Sequence, residues 1–249
     1  MNQTEKYGLI GYPLGHSFSQ RYFTEKFRKE EIDAIYHPFP IENIGLFPSL
    51  LKEVNNLKGL NVTIPYKEKV MGFLDDISDA VKEIGAVNVI RIEERENELY
   101  LKGFNSDYIG FRDSLRPLLR PDVSKALILG TGGASKAVEY ALRQLGIVST
   151  KVSRKPKKGE LSYNDLSEEI ISEHLLIVNT TPLGMYPHTD TYPPIPYSFL
   201  TSRHICYDLV YNPETTEFMR KSSANGATVK NGLEMLHLQA EEAWKIWQK

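Results

Sequence analysis

The chain has 249 residues, 41% hydrophobic and 25% charged. That composition excludes a disordered or fibrous polypeptide and leaves room for one large domain or two small ones. With 30 basic and 32 acidic residues the formal net charge is -2, so no global basic field exists to gather nucleic acid or an anionic membrane. The single cysteine, Cys206, excludes an intrachain disulfide and a thiolate metal site, and it fits a reducing compartment. Met1 to Lys6 are polar and charged, unlike a signal peptide. No segment approaches about 18 unbroken apolar residues. A cytoplasmic protein acting on small molecules, without nucleic acid or membrane as partner, is the expectation.

Strand and helix patterns alternate along the chain. Tyr7–Gly11 reads as an apolar strand stopped by Tyr12-Pro13-Leu14-Gly15. A helix follows over Ser19–Glu31, with Tyr22, Phe23 and Phe27 on its apolar side. Ala34–Phe39 is a second strand, Ile44–Val54 a helix disturbed by Pro48, and Leu60–Ile64 a third strand halted by Pro65. Val87–Ile92 and Leu99–Phe104 flank a charged turn and read as a hairpin. The composition changes near Asp107. A helix over Ser106–Leu119 leads into the strand Lys125–Leu129. Then come a helix at Ala134–Leu145, a strand at Thr150–Ser153 and a helix at Asn164–Glu173. Strands at Leu175–Asn179 and His204–Val210 complete the series. Leu233, Leu236, Ala240, Ala243, Trp244 and Trp247 recur at helical spacing in a last helix. The alternation predicts an α/β fold with parallel sheet, in two blocks. These are residues 1–106, joined by a returning helix over 233–249, and residues 107–232.

Gly130-Thr131-Gly132-Gly133-Ala134 follows a strand and opens an Ala-rich helix. This is the setting of a dinucleotide turn. The first glycine makes the bend, and the second lets backbone approach a pyrophosphate in front of the helix N-terminus. Ser135 takes the place of the usual third glycine, and Gly133 is read as relieving crowding one turn earlier. The end of the next strand selects the coenzyme. It carries Ser153-Arg154-Lys155, with no carboxylate before Glu160. A carboxylate there would bind the 2′-hydroxyl of NAD, whereas an arginine grips the 2′-phosphate of NADP. NADP is the expected cofactor.

The first block is dense in hydroxyls, amides and single charges at strand ends. Gly11-Tyr12-Pro13-Leu14-Gly15-His16-Ser17-Phe18-Ser19, Asn61-Val62-Thr63-Ile64-Pro65-Tyr66-Lys67, Gly85-Ala86-Val87-Asn88 and Asn105-Ser106-Asp107 stand out. Taken singly each has an ordinary explanation. Ser19 is a candidate helix cap, and Asn105 and Asp107 are candidate turn and cap residues. Together with Asn179-Thr180-Thr181-Pro182-Leu183-Gly184-Met185 and Asn231-Gly232-Leu233-Glu234-Met235-Leu236, they fall in an order that resembles the shikimate dehydrogenase family. The resemblance runs from about Gly8 to Trp247.

The resemblance implies an N-terminal α/β substrate domain, a Rossmann NADP domain and a final helix returning to the first. It implies that Ser17 and Ser19 hold the carboxylate of shikimate. Asn61, Thr63, Asn88 and Gln239 would meet its ring hydroxyls, and Tyr211 makes a further contact. Lys67 and Asp107 match the catalytic pair and also border the substrate. On the cofactor side it implies Gly130, Thr131, Gly132, Gly133 and Ala134 at the phosphates. Ser153, Arg154 and Lys155 would lie at the adenosine end, with Asp79, Leu209 and Gly232 as further contacts. The family's Asn-Arg-Thr is here Ser-Arg-Lys, so the arginine is kept and its neighbours differ.

The chemistry stands beside the resemblance. Reducing a ketone needs a hydride donor and a proton donor on the forming alkoxide. A lysine ammonium, protonated at neutral pH, suits the second task. No metal is needed, and the six histidines show no ligand spacing such as His-x-x-x-His. The resemblance implies interconversion of 3-dehydroshikimate and shikimate by a monomer or homodimer. A quinate/shikimate dehydrogenase using NAD and a non-catalytic NADP-sensing module remain alternatives. A sensor has no need of a proton-transfer pair.

Overall fold

The computed structural model describes residues 4–15, 18–96 and 98–249. The chain divides into two units, Met1–Ser106 with Ala240–Lys249, and Asp107–Gln239.

The first unit runs β1 (Glu5–Gly11), α1 (Phe18–Lys29), β2 (Ala34–Pro40), α2 (Phe47–Glu53), β3 (Leu57–Val62), β4 (Asp76–Ile77), α3 (Asp79–Ile84), β5 (Val89–Arg95) and β6 (Glu98–Phe104). Its sheet has the order β2-β1-β3-β5-β6-β4. The expected parallel pairing holds for β2, β1 and β3. β5 is antiparallel to both β3 and β6, so the sheet is mixed. Side-chain alternation along the strands feeds two cores. Ile10, Leu60, Val62 and Ile90 pack with Phe47 and Val81. Tyr7, Leu9, Tyr36 and Val89 pack with Phe23 and Phe27 of α1 and with Ala243 and Trp247 from the chain's end. Each fully buried large apolar side chain contributes about 1.5–3 kcal/mol. Trp247 also donates its Nε1 hydrogen to the carbonyl oxygen of Ile90 at 3.0 Å. The helix expected over Ile44–Val54 begins as a 3-10 turn at Ile44–Leu46. Pro48 then falls in the first turn of α2, where a missing N–H costs no hydrogen bond.

The second unit runs α4 (Asp107–Leu115), β7 (Lys125–Leu129), α5 (Gly133–Gln144), β8 (Val148–Val152), α6 (Glu168–Glu173), β9 (Leu176–Asn179), β10 (Ile205–Asp208), α7 (Glu217–Ala224) and β11 (Thr228–Lys230). The last helix, α8 (Leu233–Trp247), starts in this unit. The sheet has the order β11-β10-β9-β7-β8 and every pair is parallel. This is a doubly wound, Rossmann-type sheet. Its strands are almost unbroken apolar runs because both faces are covered. Ala126 and Ile128 face one core with Phe111 and Val138, and Leu127 and Leu129 face the other with Phe218. The strand order reverses between β7 and β9, which opens a crevice beyond their C-terminal ends. β4, α3, α7 and β11 have no counterpart in the sequence reading. Among the described residues no helix is long and apolar enough to cross a membrane.

Candidate active site

The polar strand ends of the first unit are joined by side-chain hydrogen bonds. Asn61, near the end of β3, and Asn88, just before β5, are both buried. Asn61 accepts from the Tyr36 hydroxyl at 2.8 Å through Oδ1, and its Nδ2 lies 3.4 Å from the carbonyl oxygen of Asn88. Ser19 lies half-buried on α1, and its side chain pulls the Tyr36 phenol down against the larger upward push of burial. Asn88 donates to Ser106 Oγ at 3.0 Å and accepts from the Ser106 main-chain N–H at 2.6 Å. Asn105 donates to the carbonyl oxygen of Ala86 at 2.9 Å. Thr63 and Lys67 follow β3 on a turn closed by the Tyr66 N–H bonding the Thr63 carbonyl at 2.9 Å. The Lys67 carbonyl accepts from the Val87 N–H at 2.7 Å, so the lysine is tied to the segment that carries Asn88. Ser17 lies outside the described residues. Asp79 opens α3, is exposed, and pairs with Lys82 at 2.7 Å. That contact holds its carboxyl below the usual carboxylate range.

In the second unit the glycine turn joins β7 to α5. Gly130 has φ +109°, and a Cβ there would lie 2.9 Å from Thr180 Oγ1. Only glycine fits both demands. Gly132 caps α5 without a side chain, and Cβ atoms built on Gly132 or Gly133 would meet nothing within 4 Å. Open space therefore faces the uncapped amides of a helix N-terminus, as an anionic pyrophosphate requires. The reading of Gly133 as a relief of crowding is incorrect, since nothing crowds it. Ser135 fits the place of the third glycine because it is fully buried and turns its hydroxyl back to the Gly132 carbonyl at 2.6 Å. Thr131 is exposed and Ala134 half-buried at the same turn. At the end of β8, Arg154 and Lys155 are exposed, and Ser153 Oγ accepts from the Lys155 N–H at 3.2 Å. Glu160, the first carboxylate beyond them, is occupied by the Lys157 N–H at 2.9 Å. These residues fit a dinucleotide bearing an additional phosphate on its ribose.

A buried carboxylate organises the C-terminal edge of the same sheet. Asp208, at the end of β10, is fully buried. It accepts from Asn179 Nδ2 at 2.9 Å, the Val210 N–H at 3.0 Å and the Thr216 hydroxyl at 2.6 Å. Burial pushes its carboxyl up to about 6, and the donors pull the other way. Asn179 Oδ1 in turn accepts from the Thr181 N–H at 3.0 Å and the Thr181 hydroxyl at 2.6 Å. One carboxylate thus fixes the Asn179–Leu183 loop and the start of α7. Leu209 and Tyr211 follow it, half-buried and 39% exposed. Gly232 packs so closely on the Leu209 carbonyl that no side chain would fit between them. Asp107 is the first residue of α4. Gln239 is buried, with its amide donating to the Leu236 carbonyl at 3.2 Å. Burial pushes the Cys206 thiol up to about 12, so it offers no nucleophile. Among the described residues no group of three or more His, Cys, Asp or Glu is placed to hold a metal ion.

A family model described as the shikimate dehydrogenase substrate binding domain matches residues 9–90. Shikimate dehydrogenase (NADP(+)) of Clostridium beijerinckii is 38% identical, over 98% of this chain and 92% of its own length. The chain belongs to the shikimate dehydrogenase family. A chorismate mutase/shikimate 5-dehydrogenase fusion protein from Clostridium acetobutylicum superimposes with a TM-score of 0.87 at 35% identity, over 99% of this chain and 92% of that one. Shikimate 5-dehydrogenase from Thermus thermophilus, solved in complex with NADP(H) and shikimate, gives 0.84 at 30% identity, over 98% and 93%.

Within this shikimate dehydrogenase fold, three polar residues escaped the sequence reading. Tyr36 reads as one more residue of an apolar strand. The available signal is that a buried tyrosine needs a partner for its hydroxyl. Asn179 stands inside a quoted motif and Asp208 inside the expected strand His204–Val210, and the sequence assigns neither a role. A carboxylate closing an apolar strand is costly to bury unless donors surround it, and that was the sign of a buried network.

Proposed function

We propose that the chain is an NADP-dependent shikimate dehydrogenase, interconverting 3-dehydroshikimate and shikimate on the route to chorismate and the aromatic amino acids. NADPH, when bound, supplies the hydride that reaches the ring ketone. The chain's own residues bind and orient the two ligands and move the proton. Lys67 gives its ammonium proton to the ketone oxygen as the C=O becomes CH–OH, and takes it back in the reverse reaction. Asp107 is assigned the second role in that transfer. Ser17 and Ser19 take the substrate carboxylate. Asn61, Thr63, Asn88 and Gln239 take the ring hydroxyls, with Tyr211 as a further contact. Gly130–Ala134 would hold the pyrophosphate on the N-terminus of α5, and Ser153, Arg154 and Lys155 the 2′-phosphate. Leu209, Gly232 and Asp79 are assigned further cofactor contacts.

The observation that carries this reading is the joint presence of two halves in one member of the family. One is a buried amide-and-hydroxyl cluster around Asn61 and Asn88. The other is a glycine turn followed by Arg154 in place of a carboxylate. The test is initial rate by nicotinamide absorbance, with NADP and shikimate and then with NAD and quinate. The first pair should be much the faster. Faster turnover of NAD and quinate would favour the broader quinate/shikimate enzyme, and no turnover of either would favour a sensing module.

A further inference from the structure

The Tyr36 phenol takes no part in the reaction as described. It sits on β2 at 3% exposure, its ring stacked on Phe23 with centroids 4.8 Å apart. Burial holds the phenol far above its usual range, so it stays protonated. A phenol carries one hydrogen. Tyr36 commits it to Asn61 Oδ1 at 2.8 Å, because an amide oxygen only accepts. The amide is not the other way round, since its far end lies 3.4 Å from the Asn88 carbonyl oxygen, which requires an N–H there. The Tyr36 oxygen is then left as an acceptor. One directed chain results, from Tyr36 through Asn61 to the main chain of Asn88, all within the first unit.

We infer that Tyr36 is a positioning residue for the substrate, which orients Asn61 as a hydrogen donor. The inference rests on the assignment of shikimate as substrate. Asn61 keeps one Nδ2 hydrogen for a ring oxygen, while its Oδ1 accepts from Tyr36. The Tyr36 bond holds the Asn61 amide in that sense before substrate arrives. A buried residue that never touches substrate thereby sets a donor assigned to a ring hydroxyl.

Tyr36→Phe keeps the ring and its stacking and removes only the bridge. Asn61 Oδ1 is then buried without a donor, and the amide is free to turn. The expected result is a KM for shikimate about tenfold higher, with kcat within about threefold and the KM for NADP unchanged. Calorimetric titration with shikimate alone should show the same loss. Combining Tyr36→Phe with Asn61→Ala should cost no more than Asn61→Ala by itself, because the phenol acts through that amide. A general structural defect would instead add to it and would weaken NADP as well. Asn61→Asp provides an arm that leaves Tyr36 intact. It keeps an acceptor for Tyr36 and removes the N–H donors, so shikimate affinity should again fall about tenfold. Shikimate affinity within twofold of wild type in either variant, additive losses, or equal losses for both ligands would overturn the inference. Wild-type protein that binds shikimate but does not oxidise it with NADP would instead sink the catalytic assignment, leaving the titration to judge Tyr36.

Discussion

The two polar ends of this molecule are built on opposite principles. At the strand ends of the first unit, buried side chains satisfy one another, with Tyr36, Asn61, Asn88 and Ser106 joined by direct hydrogen bonds. At the glycine turn of the second unit side chains are withdrawn. Gly132 and Gly133 face open space, the helix amides are uncapped, and the nearby cations at Arg154 and Lys155 are exposed. A small polyol acid is told from its neighbours by individual hydroxyls, which demands donors and acceptors fixed in advance. A pyrophosphate is recognised by charge and a helix end, which demands room. The carboxylate of Asp208 gives the second edge a wired network, and there it holds loops in place.

The comparison is broken most severely at Lys67, whose charge is assigned to the reaction. Lys67→Ala should lower kcat by about 10²–10⁴ with little change in shikimate affinity. Asp107→Ala should lower both. The double variant should cost far less than the product of the single losses, as residues acting in one step do. Rates and calorimetric affinities on folded protein check this. Multiplicative losses would mean that the two act independently.

A smaller effect is expected at the open end. Arg154→Ala removes a charged hydrogen bond of about 1.5–3 kcal/mol. NADP affinity should fall about tenfold or more while NAD affinity barely changes. Equal losses for both coenzymes would assign Arg154 a structural role.

What the sequence made legible follows the same division. The dinucleotide turn is local, since strand, glycines and helix are consecutive, and β7 lies over Lys125–Leu129 as read. The helix Leu233–Trp247 was equally plain, because its apolar period persists over several turns. Short elements such as α3 and β11 offer too few residues for a period to show. The β5–β6 hairpin was legible in its charged turn, but the antiparallel pairing of β5 with β3 escaped because an apolar run does not declare its direction. The Tyr36–Asn61 bond escaped for a deeper reason. β1 lies between the two strands, with Tyr36 level with Tyr7 and Asn61 level with Leu9. Only that register brings the phenol to the amide, and no spacing along the chain encodes it.

The smallest effect concerns Asp208. Its folded value of about 6 lies above the ordinary carboxyl value of about 3.9. Between those values the folded chain holds a proton that the unfolded chain has released, so stability falls as pH rises through the window. From pH 5 to pH 7 the loss should be about 1 kcal/mol, or roughly 2–4 °C in melting temperature for a chain of this size. Asp208→Asn should melt lower at every pH, because its amide hydrogens face donors, and should lose that slope. Calorimetric melts across the window check both points. An equal slope in the variant would place the titration elsewhere.

The division of labour between the two ends is tested most directly by amide hydrogen exchange with each ligand added alone. Shikimate should slow exchange in segments 61–67 and 86–89, and NADP in segments 130–135, 179–184 and 209–211, with the Asp79 turn the one expected cofactor effect in the first unit. Protection by shikimate concentrated at the glycine turn, or by NADP at the Asn61 and Asn88 strand ends, would contradict the account.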